Sequence, residues 1–156
     1  MSTTLGILSI WLLAAAGIQL GTLWIMKLSI LPMLNSLPYD RYVNTCQLID
    51  MHIFHPIALG SGVFAAVLGL VTAGVSGSPA LITLYVLGSV GMLIVGLTSE
   101  GVNRPIWRQI EKWNPARVVD DWPAKRYRWH LAHQVRTYAA IAAVAFYGAA
   151  FVILAV

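Results

Sequence analysis

Four apolar stretches alternate with two charged ones along this chain. Leu5–Met26, Ile57–Val75, Ala80–Leu97 and Thr137–Val156 are apolar runs close to the ~20 residues that a helix needs to cross hydrocarbon. With their polar shoulders they predict spans over about residues 5–30, 55–75, 80–100 and 130–156. The pattern is that of an all-α integral membrane four-helix bundle, one domain over residues 1–156. The first run is longer than the apolar core of a signal peptide and lacks a basic start, so it reads as a retained span.

The segments between the runs carry helix signals of their own. Pro38 and Asp40 read as a helix start, with Asp40 capping a helix from Arg41 that feeds the second span through a kink at Pro56. Ser76-Gly-Ser-Pro79 is a tight turn between spans two and three. In the loop between spans three and four, Ile106, Trp107, Ile110 and Trp113 recur at helical spacing and predict an interfacial amphipathic helix. Asp120-Asp121-Trp122-Pro123 starts a last helix that runs through His133 to the end of the chain. Small residues four apart, Ser61, Ala65 and Gly69, and then Ala139 and Ala143, favour close helix contact in lipid.

Charge adds sidedness. Only 10% of residues are charged, against ~25% in soluble domains. All ten Lys/Arg and six Asp/Glu lie between Lys27 and Asp50 or between Glu100 and Arg136. With four spans those segments share one side, which the excess of Lys/Arg makes cytoplasmic, leaving both termini non-cytoplasmic in a plasma or inner membrane. The formal net charge of +4 then reflects anionic headgroups and needs no nucleic acid. The lone Cys46 excludes an intramolecular disulfide.

Helix parity brings three polar pairs to that side: His52 and His55 before span two, Glu100 and Asn103 after span three, His130 and His133 before span four. Each pair is spaced i, i+3 and so shares a helix face. An ionisable group such as Glu100 at membrane depth points to function, with Arg104 as its cheapest ion-pair partner. Asn103 reads either as a site residue or as a cap for the following helix. Imidazoles exchange protons near neutrality and bind metals, so His52, His55, Glu100, His130 and His133 form a candidate site for copper or iron, with haem a weaker fit. Asp50 or Glu111 would be the supporting carboxylate. Arg136 either reaches headgroups or holds an acidic group of a substrate, and Lys27 has the same two readings.

The first span ending in LPML, the GVNRP segment, and W-H-x-x-H-x-x-R-T-x-A-A at the start of the last span make the whole chain resemble the DUF1772 membrane proteins, which include anthrone oxygenase-like enzymes. The resemblance rests most on Asn103, Trp129 and Arg136-Thr137. It implies an oxygenase acting on a small aromatic or phenolic substrate. His130 or His133 would be the base, Arg136 or Asn103 would stabilise the oxyanion, and Glu100 would orient a histidine or bind a metal. Lys27, Arg104, Trp107, Trp129 and Thr137 would contact the substrate. Two other readings stand beside it: a non-catalytic membrane subunit or small-molecule-binding protein, and a haem or metal electron-transfer subunit. A homo-oligomer is compatible with each.

Overall fold

A computed structural model describes residues 3–49 and 55–155, with the side chains of 55–59 outside that description. Among the described residues the chain is all-helical, without strands. Helix α1 (Thr3–Ile25) passes through a π-turn, Met26–Ile30, into α2 (Leu31–Ser36), and α3 (Tyr39–Ile49) follows. α4 (His55–Ser76) and α5 (Pro79–Thr98) form a hairpin, and a second π-turn, Ser99–Asn103, joins α5 to α6 (Arg104–Ile110). α7 (Trp122–Ala155) closes the fold.

Three continuous helices, Thr3–Ser36, Pro79–Ile110 and Trp122–Ala155, are long and apolar enough to cross a membrane. At 1.5 Å per residue, 34 residues reach ~50 Å, against ~30 Å of hydrocarbon, so each overshoots by ~20 Å. Ile7, Trp11, Leu93 and Val152 on these helices, and Val63 and Phe64 on α4, are exposed on the outside, as lipid contact requires and water would penalise.

The long helices pack in a ring, α1 against α4 and α7, and α5 against α4 and α7. Its centre is filled by two buried tyrosines. The Tyr85 hydroxyl shares a 2.7 Å hydrogen bond with Ser9 of α1, and the Tyr147 hydroxyl donates to the Ala65 carbonyl of α4 at 3.2 Å. Both bonds cross the ring, tying α5 to α1 and α7 to α4. Glycines make the room: a Cβ on Gly88 would stand 2.3 Å from the Tyr147 ring, and one on Gly69 would stand 2.6 Å from its hydroxyl. Gly91 packs directly on the Ala139 carbonyl and Ala143, so the small-residue stripes predicted from sequence lie at helix contacts.

At the charged end a second core joins Leu31, Leu34, Tyr42, Val43, Cys46, Ile106, Ile110 and Trp129. The face of α6 carrying Ile106 and Ile110 is covered by protein, because α6 continues α5 and packs on α3. Gln47 secures the contact, its Nε2 donating toward the carbonyls of Ile110, Glu111 and Trp113 at 3.3, 3.1 and 2.9 Å. The contact ties α3 to the turn that ends α6.

The helix starts fall close to their local signals, except that Asp40 lies inside α3 and does not cap it. α3 begins at Tyr39 with the Pro38 carbonyl accepting from Tyr42, two residues before the predicted Arg41, and Asp40 sits in its first turn. α7 starts at Trp122 and runs unbroken, as its Asp-Asp-Trp-Pro start implies. Gly77, at φ 67°, turns the chain between α4 and α5. The predicted run of α3 straight into span two falls partly on residues outside the description, and Pro56 stands at the start of α4.

Candidate functional site

The two π-turns and the first half of α7 build the candidate site. A π-turn inserts one residue into an α-helix and such bulges gather at functional positions. Here one holds Lys27 and the other holds Glu100 and Asn103. Against them α7 presents a buried stripe, Trp129, His130, His133 and Thr137, that turns to small residues at Ala140 and Ala143. The stripe is polar where it meets the π-turns and apolar where it enters the bundle.

Trp129 is the hub. Its ring lies 5.3 Å from Trp107, 5.2 Å from His130 and 6.2 Å from His133, centroid to centroid. His133 is 1% exposed and its Nε2 is 3.3 Å from the Leu23 carbonyl, so it carries the proton there and donates it. The groups within electrostatic reach of His133 are Arg136, His130 and Lys27, with no carboxylate among them. Thr137 returns its hydroxyl to the His133 carbonyl at 2.9 Å, which uses it within the helix.

Four buried polar atoms in this layer have no hydrogen-bond partner: Asn103 Oδ1, Trp107 Nε1, His130 Nε2 and Arg136 Nε. A buried group without a partner is costly and rare, and several in one layer mark a place where a ligand or water belongs. His130, 9% exposed, also lines an open cleft of about 450 Å³ between α2 and α7.

The structure separates the members of the predicted set. Asn103 is buried, and its side chain caps nothing, so it is not the helix cap of the alternative reading. Glu100, three residues earlier, is exposed and ion-paired with Arg104. The π-turn is the reason: it sets residues i and i+3 roughly 110° apart around the helix, where an α-turn sets them roughly 60° apart. Lys27 places its ammonium 3.9 Å from the Tyr138 ring and 5.8 Å from Trp24, a cation–π seat on the outer side of α1 and α7.

The proposed metal set is only partly open to view. His52 and Asp50 lie outside the described residues, as does the side chain of His55. Among the described residues no three His, Cys, Asp or Glu side chains converge, and the layer offers two imidazoles without a carboxylate, fewer ligands than a transition metal takes.

Sequence reasoning missed the cleft. Asn35, Arg126, Tyr127 and Gln134 line it beside His130, and the signal was present, since 126, 130 and 134 are spaced four apart and share a helix face. It also missed the aromatic cap, in which Arg126 stacks 4.4 Å from Trp122 and Tyr39 meets Trp122 at 5.4 Å. In that cap burial drives the Tyr42 hydroxyl well above the usual phenol range and pushes the Cys46 thiol up to about 12.

No protein-family model, curated protein or solved structure matches this chain.

Proposed function

We propose that the chain is a four-span membrane oxidoreductase of the anthrone oxygenase-like kind, with its charged end cytoplasmic. It would take a small aromatic or phenolic substrate and dioxygen. The observation that carries the reading is His130, an imidazole nine-tenths buried whose Nε2 has no partner and which lines an open cleft. An imidazole free of internal hydrogen bonds, on a residue that borders a cleft, supports proton abstraction.

In this reading His130 Nε2 removes a proton from an acidic C–H beside an aromatic ring. Arg136 and the Asn103 amide stabilise the oxyanion into which the charge delocalises, in a layer that holds no competing carboxylate near His133. The electron-rich carbon reduces dioxygen and forms a C–O bond, giving a hydroperoxide. Loss of the second proton with cleavage of the O–O bond expels water and leaves a ketone, so a CH₂ and O₂ become C=O and H₂O. His133, held by the Leu23 carbonyl, positions Trp129 and His130.

The test is oxygen uptake by purified protein with an anthrone or a hydroquinone. His130→Gln is expected to lower the rate by about 10² or more, the ordinary contribution of a general base. Uptake unchanged in that variant would remove His130 from the mechanism, and no uptake by wild type would favour a non-catalytic binding protein.

A further inference from the structure

The cleft beside His130 has a charge character that access alone does not explain. One wall is the α7 stripe Arg126, His130 and Gln134, flanked by Tyr127 and Leu131, and Asn35 at the end of α2 faces it. Arg126 stacks on Trp122 at 4.4 Å and stands 5.8 Å from the Tyr42 ring. Of the two acidic residues nearest the start of α7, Asp121 pairs with Lys125, and no ion pair joins Arg126 to a carboxylate among the described residues. Stacking occupies the faces of a guanidinium and fixes its plane, while its N–H edge remains suited to a planar oxyanion. His130, nine-tenths buried and with its Nε2 unpartnered, is among the residues that line the same cavity. The cleft therefore joins a fixed cation, a buried imidazole and two amides, with a phenol ring and a leucine as apolar walls.

We propose that this cleft binds a small aromatic anion, a carboxylate or phenolate, with its charged oxygen on Arg126 and its ring against Tyr127 and Leu131. The inference rests on the reading of His130 as the base and adds the ionic form of the substrate. Arg126 and His130 are one turn apart, about 6 Å along the helix, so the anionic oxygen and the reacting carbon lie on opposite sides of a ring. About 450 Å³ is enough for a two- or three-ring molecule.

Binding can be read without turnover, by calorimetric titration of the protein in neutral detergent with 2-naphthoate and with the uncharged 2-naphthalenemethanol. Wild type is expected to prefer the anion by about tenfold, the scale of one charge-assisted contact. Arg126→Gln should abolish the preference and leave the neutral probe unchanged, which also reports that the variant is folded. Arg126→Lys should lose part of it, and Arg117→Gln, in the loop before α7, none. Equal affinity of the two probes for wild type, or an undiminished preference in both Arg126 variants, overturns the proposal. Repeating the titration in phosphatidylcholine nanodiscs with and without phosphatidylglycerol identifies the occupant: naphthoate bound in both supports a small anion, and its displacement by phosphatidylglycerol assigns the cleft to a lipid headgroup instead. Anion preference without oxygen uptake would sink the oxygenase and leave the cleft assignment standing. Oxygen uptake without anion preference would do the reverse.

Discussion

His130 and His133 stand three residues apart on one helix and have different duties. The His133 ring is fully buried and bonded to the Leu23 carbonyl, so His133→Ala removes that bond and opens a cavity. A loss of about 2–3 kcal/mol is expected, read as a lowered unfolding temperature in detergent. His130→Gln, whose Nε2 has no partner to lose, should unfold within about 1 kcal/mol of wild type while losing uptake. Cys46 offers a test of the cap. Its thiol rises from 9.0 to about 12 on burial, and a raised thiol pKa keeps the unreactive neutral form at pH 9, where an unfolded chain is half thiolate. Iodoacetamide at pH 9 should therefore label Cys46 in dodecyl sulfate and spare it in the native protein. Native labelling at the denatured rate would mean that the α3 cap opens readily. The H-x-x-H pair was legible as chemistry because spacing alone shows it. The separate duties of its members were not, since they depend on which ring meets the Leu23 carbonyl, 110 residues away.

Among the helices, packing at the ring centre sets the stability. Gly88→Ala would place a methyl 2.3 Å from the Tyr147 ring, which is held by Ser89 and the Ala65 carbonyl and has nowhere to move. A loss of about 1–3 kcal/mol is expected from overpacking. Gly74→Ala meets nothing within 4 Å and should gain up to about 1 kcal/mol from helix propensity. Thermal unfolding of the two variants in one detergent checks the contrast, and equal midpoints would contradict the close contact. The glycines were visible in the sequence, but Gly88 and Gly74 look alike there, and only the neighbouring helix tells them apart.

For the molecule as a whole, the proposed topology puts the Ala116 loop and the Ser78 turn on opposite faces of the membrane. Each can be changed to cysteine against a quiet background, because Cys46 is buried. A membrane-impermeant maleimide should reach Ala116→Cys only from the cytoplasmic side and Ser78→Cys only from the other. Labelling of both from one side would leave an even number of spans between them and overturn the four-span arrangement.

By itself the sequence determined the helices, the helix starts at Pro38 and Trp122, the turn at Gly77, and the gathering of charge at one end. These follow from hydropathy, capping and backbone preference, which act over a few residues. It also brought Asn103, His130, His133 and Arg136 to one level, because helix parity is simple counting. Tertiary structure decided which of them point inward. The Ser99–Asn103 π-turn rotates Glu100 away from Asn103, α3 packs on the apolar face of α6, and a cleft forms where α2 ends beside α7. Each depends on contacts between residues far apart in the chain, and a π-turn persists only where the neighbouring helices favour the rotation it makes.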